Sequence, residues 1–197
     1  MVVSIIIWIF AYSMNARYLM KKIGVFCSAS TSVNSQYADI AKQLGTWIGK
    51  NNYTLVYGGA NVGLMGYLSE ATHRNNGKII GVIPFLLKGT EKESTLPQER
   101  IYTQSLSDRK DILLEKSDYI IALPGGIGSL DEIFHVMGLA TLGYHHKKVI
   151  LYNSNGFYNQ LLDFLANLEK QTLLRQPLSS YLVTVNNLKE LLIATID

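Results

Sequence analysis

The sequence has only one cysteine, Cys27, among its 197 residues. A single cysteine cannot form a disulfide or a Cys-x-x-Cys metal site within one chain, so a disulfide framework and a zinc ribbon are both excluded. Such sparing use of cysteine fits a reducing compartment, and we therefore expect a cytoplasmic protein.

The sequence also has no large excess of positive or negative charge. The formal net charge is +3, from 18 lysines and arginines against 15 aspartates and glutamates. Because the basic residues are spread along the chain instead of clustered, the sequence does not predict a nucleic-acid-binding surface. A small anionic ligand is compatible with this charge.

No apolar run reaches the roughly 20 residues that a membrane-spanning helix needs. Residues 2–10 (VVSIIIWIF) are almost wholly apolar, but basic residues follow this run instead of preceding it, which is not typical of a secretory signal. We therefore expect neither membrane association nor export.

Met20 opens MKKIGVFCSAS, which is typical of a first strand, so we expect a single domain at 20–197. Residues 1–19 are then an upstream extension or the result of a wrongly chosen start codon. The alternative is that they form a functional anchor.

From residue 22 onward, short apolar runs alternate with longer segments of helical period, which predicts βαβ units. The predicted strands are 23–27, 54–57, 78–83, 100–103, 119–123, 149–152 and 182–185. The predicted helices are 35–51, 64–76, 105–117, 129–143, 157–170 and 187–196. Several strands are apolar at consecutive positions, as strands covered on both faces are. The expected fold is therefore a doubly wound, mainly parallel α/β sheet of about seven strands with helices on both faces, Rossmann-like in outline.

A glycine-rich turn, ALPGGIGSLDE at residues 122–132, joins a predicted strand to a predicted helix. Glycines let the backbone approach a ligand closely, and the first amides of the helix attract an anion. We expect a phosphate to lie against this turn, and a turn without a ligand is the alternative. The predicted contacts are Gly125, Gly126, Ile127, Gly128 and Ser129.

Glu132 lies three positions after Ser129, on the same face of the first helical turn. It is off the apolar stripe of that helix, which comprises Leu130, Ile133, Phe134, Met137 and Leu142. The Glu132 carboxylate is therefore expected near a phosphosugar held by the turn. The alternative is a glutamate that only complements the helix dipole, which is how we interpret Asp131.

Arg109 shares an i, i+3, i+7 stripe with Leu106 and Leu113, so we expect it to face the protein. Arginine is almost never buried without a partner. The expected partner is a substrate phosphate, the Glu132 carboxylate or both, and a structural salt bridge or a snorkelling side chain is the alternative. Lys110 either adds positive potential or is solvated.

Two more turns follow predicted strands. YGGANVGLMG at residues 57–66 differs from the dinucleotide fingerprint GxGxxG, and no acidic residue closes the second strand, so NAD binding is not predicted. CSAS at residues 27–30 supplies small hydroxyl residues. Ligands bind at the carboxyl ends of strands in open parallel sheets, and these turns all lie there. The four histidines lack ligand spacing, so no metal site is expected.

These residues resemble the Lonely Guy family of cytokinin riboside 5′-monophosphate phosphoribohydrolases, formerly labelled lysine decarboxylases. The family signature PGGxGTxxE is similar to PGGIGSLDE at residues 124–132, and its RK pair to Arg109-Lys110. VYGGANVGLMG and GVIP also resemble family segments, and the match runs from Met20 to about residue 196. The resemblance implies that Arg109 and Glu132 are catalytic, that no cofactor is needed and that the protein is a homodimer. The substrate-binding residues are then Ser28, Ser30, Gly58, Gly59, Met65, Lys110, Gly125, Gly126, Ile127, Gly128 and Ser129.

The sequence departs from the family pattern at three places. Ser129 replaces the usual threonine, CSAS replaces CGSS, and Leu106-Ser107-Asp108 stands where a histidine often precedes the RK pair. The expected activity is hydrolysis of a nucleoside 5′-monophosphate, with adenine or prenylated adenine as the base. A non-catalytic nucleotide-binding or carrier protein is the alternative. A decarboxylase is not favoured, because no lysine is set apart as a pyridoxal site.

Overall fold

The computed structural model describes residues 21–195, so the predicted upstream extension at 1–19 lies outside the described residues. The strands are β1 (Lys22–Phe26), β2 (Thr54–Tyr57), β3 (Lys78–Pro84), β4 (Glu99–Thr103), β5 (Tyr119–Ala122), β6 (Val149–Tyr152) and β7 (Leu182–Val185). The helices are α1 (Ser35–Lys50), α2 (Gly63–Arg74), α3 (Leu106–Glu115), α4 (Ile127–Thr141), α5 (Asn159–Lys170) and α6 (Leu188–Ala194).

All seven strands form one parallel sheet in the order β4-β3-β2-β1-β5-β6-β7. The chain builds outward from β1 to β4 and then returns to pair β5 with the other side of β1. The carboxyl ends of β1 and β5 therefore form the topological switch point, which is where open α/β sheets bind their ligands.

The sheet is covered on both faces, and each face has its own apolar core. Side chains of α1, α2 and α6 pack on one face, around Ile23, Leu55 and Tyr57. Side chains of α3, α4 and α5 pack on the other, around Val56 and Ile120. Alternate strand residues enter opposite cores, and this explains why the strands are apolar at consecutive positions.

The predicted fold is confirmed, and every predicted helix and strand is present with ends within two residues of those observed in the described region. The predicted apolar stripes were wrong at three positions. Leu106 is 62% exposed in the first turn of α3, and Phe134 of α4 and Leu142, the C-cap of α4, are also exposed. These three side chains lie at the ends or the outer side of their helices, beyond the part that the sheet covers.

The connection from β3 to β4 (residues 84–98) has little periodicity in the sequence, which predicts a mobile active-site loop. In the structure it is tied to the sheet edge. The amide of Ser94 donates to the Gly59 carbonyl at 2.9 Å, and the amide of Asn61 donates to the Lys92 carbonyl at 3.0 Å. The Tyr102 hydroxyl of β4 donates to the Glu93 carboxylate at 2.6 Å. These contacts anchor the second half of the β3–β4 connection beside the turn that follows β2. The mobility of this connection stays a prediction.

The two ends of the described chain meet at the amino edge of the sheet. The Lys21 ammonium donates to the carbonyl of Thr195 and lies 4.8 Å from the centre of the Tyr119 ring. Within residues 21–195, no helix is both long and apolar enough to cross a membrane.

Candidate active site

Two turns meet at the switch point between β1 and β5. The amide of Ser28, after β1, donates to the Pro124 carbonyl, after β5, at 3.3 Å. The Ser28 carbonyl in turn accepts from the amide of Leu64 at 2.9 Å. The β1 turn is therefore held between the β5 turn and the start of α2, as the positions of the turns predicted.

The glycine-rich turn presents the start of α4 to solvent. Gly126 is the N-cap of α4 and supplies no side-chain cap, and Ile127 and Gly128 are exposed. The first amides of a helix have no partner within the helix, so this end can accept an anion. A Cβ on Gly125 would lie 2.1 Å from the Ser129 hydroxyl oxygen, so only glycine leaves room for the serine there.

The Arg109 guanidinium extends from α3 across the ends of two strands. Its Nε donates to the Val82 carbonyl of β3 at 3.0 Å, and its Nη1 donates to Glu132 Oε1 at 2.7 Å. Its Nη2 lies so close to the Gly58 backbone that a Cβ there would be 2.2 Å away. The arginine partner left open by the sequence is therefore the Glu132 carboxylate in the structure.

Glu132 is a buried carboxylate, and only 6% of its side chain is exposed. Burial raises the pKa of the Glu132 carboxyl above its ordinary value, because a charge loses hydration in the interior. The Arg109 guanidinium opposes this and lowers the pKa, Asp131 raises it, and Lys110 lowers it. The net effect is a raised pKa, because the loss of hydration outweighs the pairing with Arg109.

One further ion pair and one histidine–carboxylate hydrogen bond join α3 to α4 beside this pair. Lys110 Nζ lies 2.7 Å from Asp131 Oδ1, and His135 Nε2 lies 2.8 Å from Asp111 Oδ1. Asp131 is half exposed and paired with Lys110. Adjacent acidic residues on α4 thus have different surroundings, and only Glu132 is buried.

Cys27 lies near Glu132, and Tyr158 lies near Cys27. Cys27 is buried, and burial together with the Glu132 carboxylate raises the pKa of its thiol. The Tyr158 hydroxyl donates to the Leu123 carbonyl at 2.7 Å, and burial raises its pKa as well. The thiol near Glu132 and the phenol near Cys27 therefore stay uncharged at neutral pH.

The structure brings most of the predicted residues into two neighbouring groups. One comprises Arg109, Glu132, Gly58 and Met65, and the other comprises Ser28, Gly125, Gly126, Ile127, Gly128 and Ser129. Lys110 lies beside the first group through Asp131.

Ser30 and Gly59 hold neighbouring segments in place. The Ser30 carbonyl packs against Gly63, and Gly59, with φ +77°, packs against Ile83 and accepts the Ser94 amide. Neither the Val82 carbonyl nor the Tyr158 hydroxyl was predicted from the sequence. A main-chain acceptor has no sequence signal, and Tyr158 belongs to no motif.

Among residues 21–195, no group of three or more His, Cys, Asp and Glu side chains is placed to hold a metal ion. The reactive groups present are a carboxylate, a guanidinium and open helix amides. Together the fold and this arrangement define a doubly wound α/β protein with a buried arginine–glutamate ion pair at the carboxyl edge of its sheet.

Comparison with known proteins identifies the family. Residues 65–195 match the family model described as possible lysine decarboxylase. The chain is 36% identical over 171 residues to a cytokinin riboside 5′-monophosphate phosphoribohydrolase of Arabidopsis thaliana, covering 87% of this chain and 75% of the relative. A second such enzyme of Arabidopsis thaliana is 37% identical, with 87% and 80% covered. The chain belongs to this family of phosphoribohydrolases, which are hydrolases of N-glycosyl bonds.

Solved structures show the same fold. The molybdenum cofactor binding protein of Rippkaea orientalis superposes with a TM-score of 0.67 at 26% identity, covering 91% of this chain and 99% of that protein. The molybdenum cofactor carrier protein of Chlamydomonas reinhardtii gives a TM-score of 0.67 at 18% identity, with 89% and 96% covered, and this likeness is one of fold alone.

Proposed function

We propose that the protein hydrolyses the N-glycosidic bond of a nucleoside 5′-monophosphate, either AMP or a cytokinin riboside monophosphate, to the free base and ribose 5-phosphate. The observation that carries this proposal is the buried Arg109–Glu132 pair, next to the open amides of α4. Simple nucleotide binding needs an anion site, but it does not need a buried carboxylate beside it.

Binding begins at the glycine turn. The 5′-phosphate is placed against the amides from Gly126 to Ser129, where the helix dipole favours negative charge. The sugar then extends toward Glu132, one helical turn further along α4. The proposed substrate contacts are Ser28, Ser30, Gly58, Gly59, Met65, Lys110, Gly125, Gly126, Ile127, Gly128 and Ser129.

Glu132 carries the chemistry in this proposal. Cleavage of an N-glycosidic bond develops positive charge on the sugar, as in glycoside hydrolysis, and a carboxylate stabilises that charge or activates the attacking water. The bond between C1′ and the base nitrogen breaks, water adds to C1′, and the base leaves with a proton. The reaction uses water and no cofactor.

Arg109 keeps Glu132 in the form that this chemistry requires. A carboxylate acts as an anion, yet burial favours its protonated form. The guanidinium 2.7 Å away opposes protonation and fixes the orientation of the carboxylate. Since Nε and Nη1 are already engaged, Nη2 is the nitrogen left to contact a phosphosugar.

We also propose a cytoplasmic homodimer. The family resemblance supports this assembly. Several large apolar side chains are exposed on the single chain, among them Leu106, Ile127, Leu142 and Tyr144. A dimer that covers some of them would bury surface that a lone chain leaves in water. The buried thiol of Cys27 is consistent with a reducing compartment.

A panel of nucleoside monophosphates, assayed for release of ribose 5-phosphate, tests the proposed function. We expect AMP or its prenylated derivative to be cleaved, and the preferred base to emerge from the panel. Tight nucleotide binding with no ribose 5-phosphate from any member of the panel would favour a carrier. The structural likeness to the molybdenum cofactor binding protein of Rippkaea orientalis makes the carrier the second candidate.

A further inference from the structure

The position of the Arg109 guanidinium depends on the space left by the missing side chain of Gly58, in the turn that follows β2. An ideal Cβ on Gly58 would lie 2.2 Å from Arg109 Nη2, far inside van der Waals contact. The Met65 Sδ and Cε atoms are further away, at 3.1 Å. Any side chain at position 58 therefore meets the guanidinium first.

We propose that Gly58 is a positioning residue, whose missing side chain admits the Arg109 guanidinium and so keeps it paired with Glu132. The kinetic part of this inference rests on the proposed hydrolase function. The structural part concerns the free protein alone.

Backbone conformation does not explain glycine at this position. Gly59 has φ +77° and Gly63 has φ +59°, whereas Gly58 is not among the glycines with positive φ. An alanine could adopt the backbone of Gly58, so the requirement is for space beside the chain.

The guanidinium cannot easily move aside to make that space. Its Nε is held by the Val82 carbonyl at 3.0 Å and its Nη1 by Glu132 at 2.7 Å. The group is planar and rigid, so displacing Nη2 moves the other two nitrogens with it. A methyl group at position 58 therefore breaks or lengthens at least one of these hydrogen bonds.

Loss of the Arg109 contact changes the surroundings of Glu132. Four groups act on its carboxyl or share its pocket: Arg109 and Lys110 favour the anion, while Asp131 and the buried Cys27 thiol do not. With Arg109 displaced, Lys110 is the cation that stays nearby. The pKa of Glu132 should therefore rise further in a Gly58→Ala variant.

The test compares Gly58→Ala with Gly138→Ala, a matched control in α4 where a new Cβ meets nothing within 4 Å. The pKa of Glu132 is measured in the ligand-free protein by carbon NMR of its carboxyl, with Glu132→Gln to assign the signal. We expect a higher pKa in Gly58→Ala and no change in Gly138→Ala. An unchanged pKa in Gly58→Ala would overturn the proposal.

Turnover gives the second measurement. A catalytic group misplaced by about 1 Å can cost on the order of 10²-fold in rate, so we expect kcat of Gly58→Ala to fall by roughly that factor. KM should rise as well, because Gly58 is also a proposed substrate contact, so the NMR titration of the ligand-free protein is the measurement that isolates the Arg109 contact. If the wild-type protein releases no ribose 5-phosphate, the proposed function fails, while the NMR titration still tests the role of Gly58.

A double-mutant cycle in melting temperature isolates the contact. Gly58→Ala should lower Tm by a few degrees in the wild type and hardly at all in an Arg109→Ala background, since the clash is then gone. Equal losses in both backgrounds would contradict the proposal. If Gly58→Ala does not fold, folding of the double variant supports the clash with Arg109, and failure of the double variant to fold refutes it.

Discussion

The Arg109 guanidinium and the Glu132 carboxylate meet at 2.7 Å in an ion pair whose side chains are only 11% and 6% exposed. Removing both charges from water costs several kcal/mol per ion, and their attraction often does no more than offset that cost. The pair is therefore poorly explained as a stabilising device. Its position beside an open helix terminus favours a role in chemistry.

Replacing Glu132 with glutamine separates the catalytic role from the helix-dipole role. Loss of a catalytic carboxylate should reduce kcat on the order of 10²-fold or more with the fold retained, whereas a dipole partner contributes about 0.3 to 1 kcal/mol to stability and nothing to turnover. We expect the first result, with AMP binding preserved because glutamine is nearly isosteric. Asp131→Asn is the matched control and should keep kcat within about twofold. Near-normal kcat in Glu132→Gln would refute the mechanism.

The raised pKa of Glu132 also predicts how stability depends on pH. A carboxyl whose folded-state pKa is raised contributes stability below its unfolded pKa, about 4, and loses that contribution as pH rises through the folded pKa. Wild-type protein should therefore lose stability relative to Glu132→Gln between pH 4 and neutral pH. The measurement is Tm of both proteins across this range. A difference that stays constant with pH would show that Glu132 titrates normally.

Arg109→Ala should reduce turnover on the order of 10²-fold or more, because Glu132 loses the cation that orients it and keeps it ionised. Nucleotide affinity should fall as well if Nη2 contacts the phosphosugar. Arg74→Ala is the control, since Arg74 lies on the surface of α2 in an exposed pair with Glu70. The measurements are kcat and nucleotide dissociation constants. Equal kcat for the two variants would exclude a catalytic role for Arg109.

The open amides of α4 predict dependence on the 5′-phosphate. Adenosine lacks the group that these amides are placed to bind, so its kcat/KM should be lower than that of AMP on the order of 10²-fold or more. The comparison is made at the same ionic strength, because the anion contact is screened by salt. Comparable turnover of adenosine and AMP would disprove the phosphate site.

Deleting residues 1–19 tests where the domain begins. Described residues from Lys22 onward supply seven strands and two apolar cores, and we predict that a chain starting at Met20 folds with unchanged Tm and kcat. Circular dichroism, thermal melting and ribose 5-phosphate release are compared with those of the full chain. Loss of folding would mean that the apolar run at 2–10 contributes to the core or to a partner.

Local signals in the sequence were enough to predict the fold. Apolar residues at consecutive positions indicated strands buried on both faces. The sequence SLSD at residues 105–108 is typical of a capping box, and the Ser105 hydroxyl caps α3 by accepting from the Asp108 amide at 3.0 Å. The glycine turn and Glu132 were also visible, because they are adjacent in sequence.

Two other contacts of Arg109 with distant segments were not predictable. The Val82 carbonyl that holds Arg109 is 27 residues away and has no sequence signal. The fit of Nη2 against Gly58 depends on how α3 lies across the sheet edge, which periodicity does not specify. Exposure of Leu106 has the same origin, since a helical stripe says which residues align but not where the covering sheet stops.

The meeting of Lys21 and Thr195 at the amino edge has a consequence for engineering. A short glycine-serine linker can join residue 195 to residue 21, because the two already touch, and circular permutation is tolerated when chain ends lie close together. New termini opened between Gly143 and His146, in the exposed turn after α4, would leave the carboxyl edge of the sheet uncut. The order in which the chain connects its elements can therefore be changed without altering the carboxyl edge of the sheet. A domain fused at the new termini would lie on the side opposite the proposed substrate site.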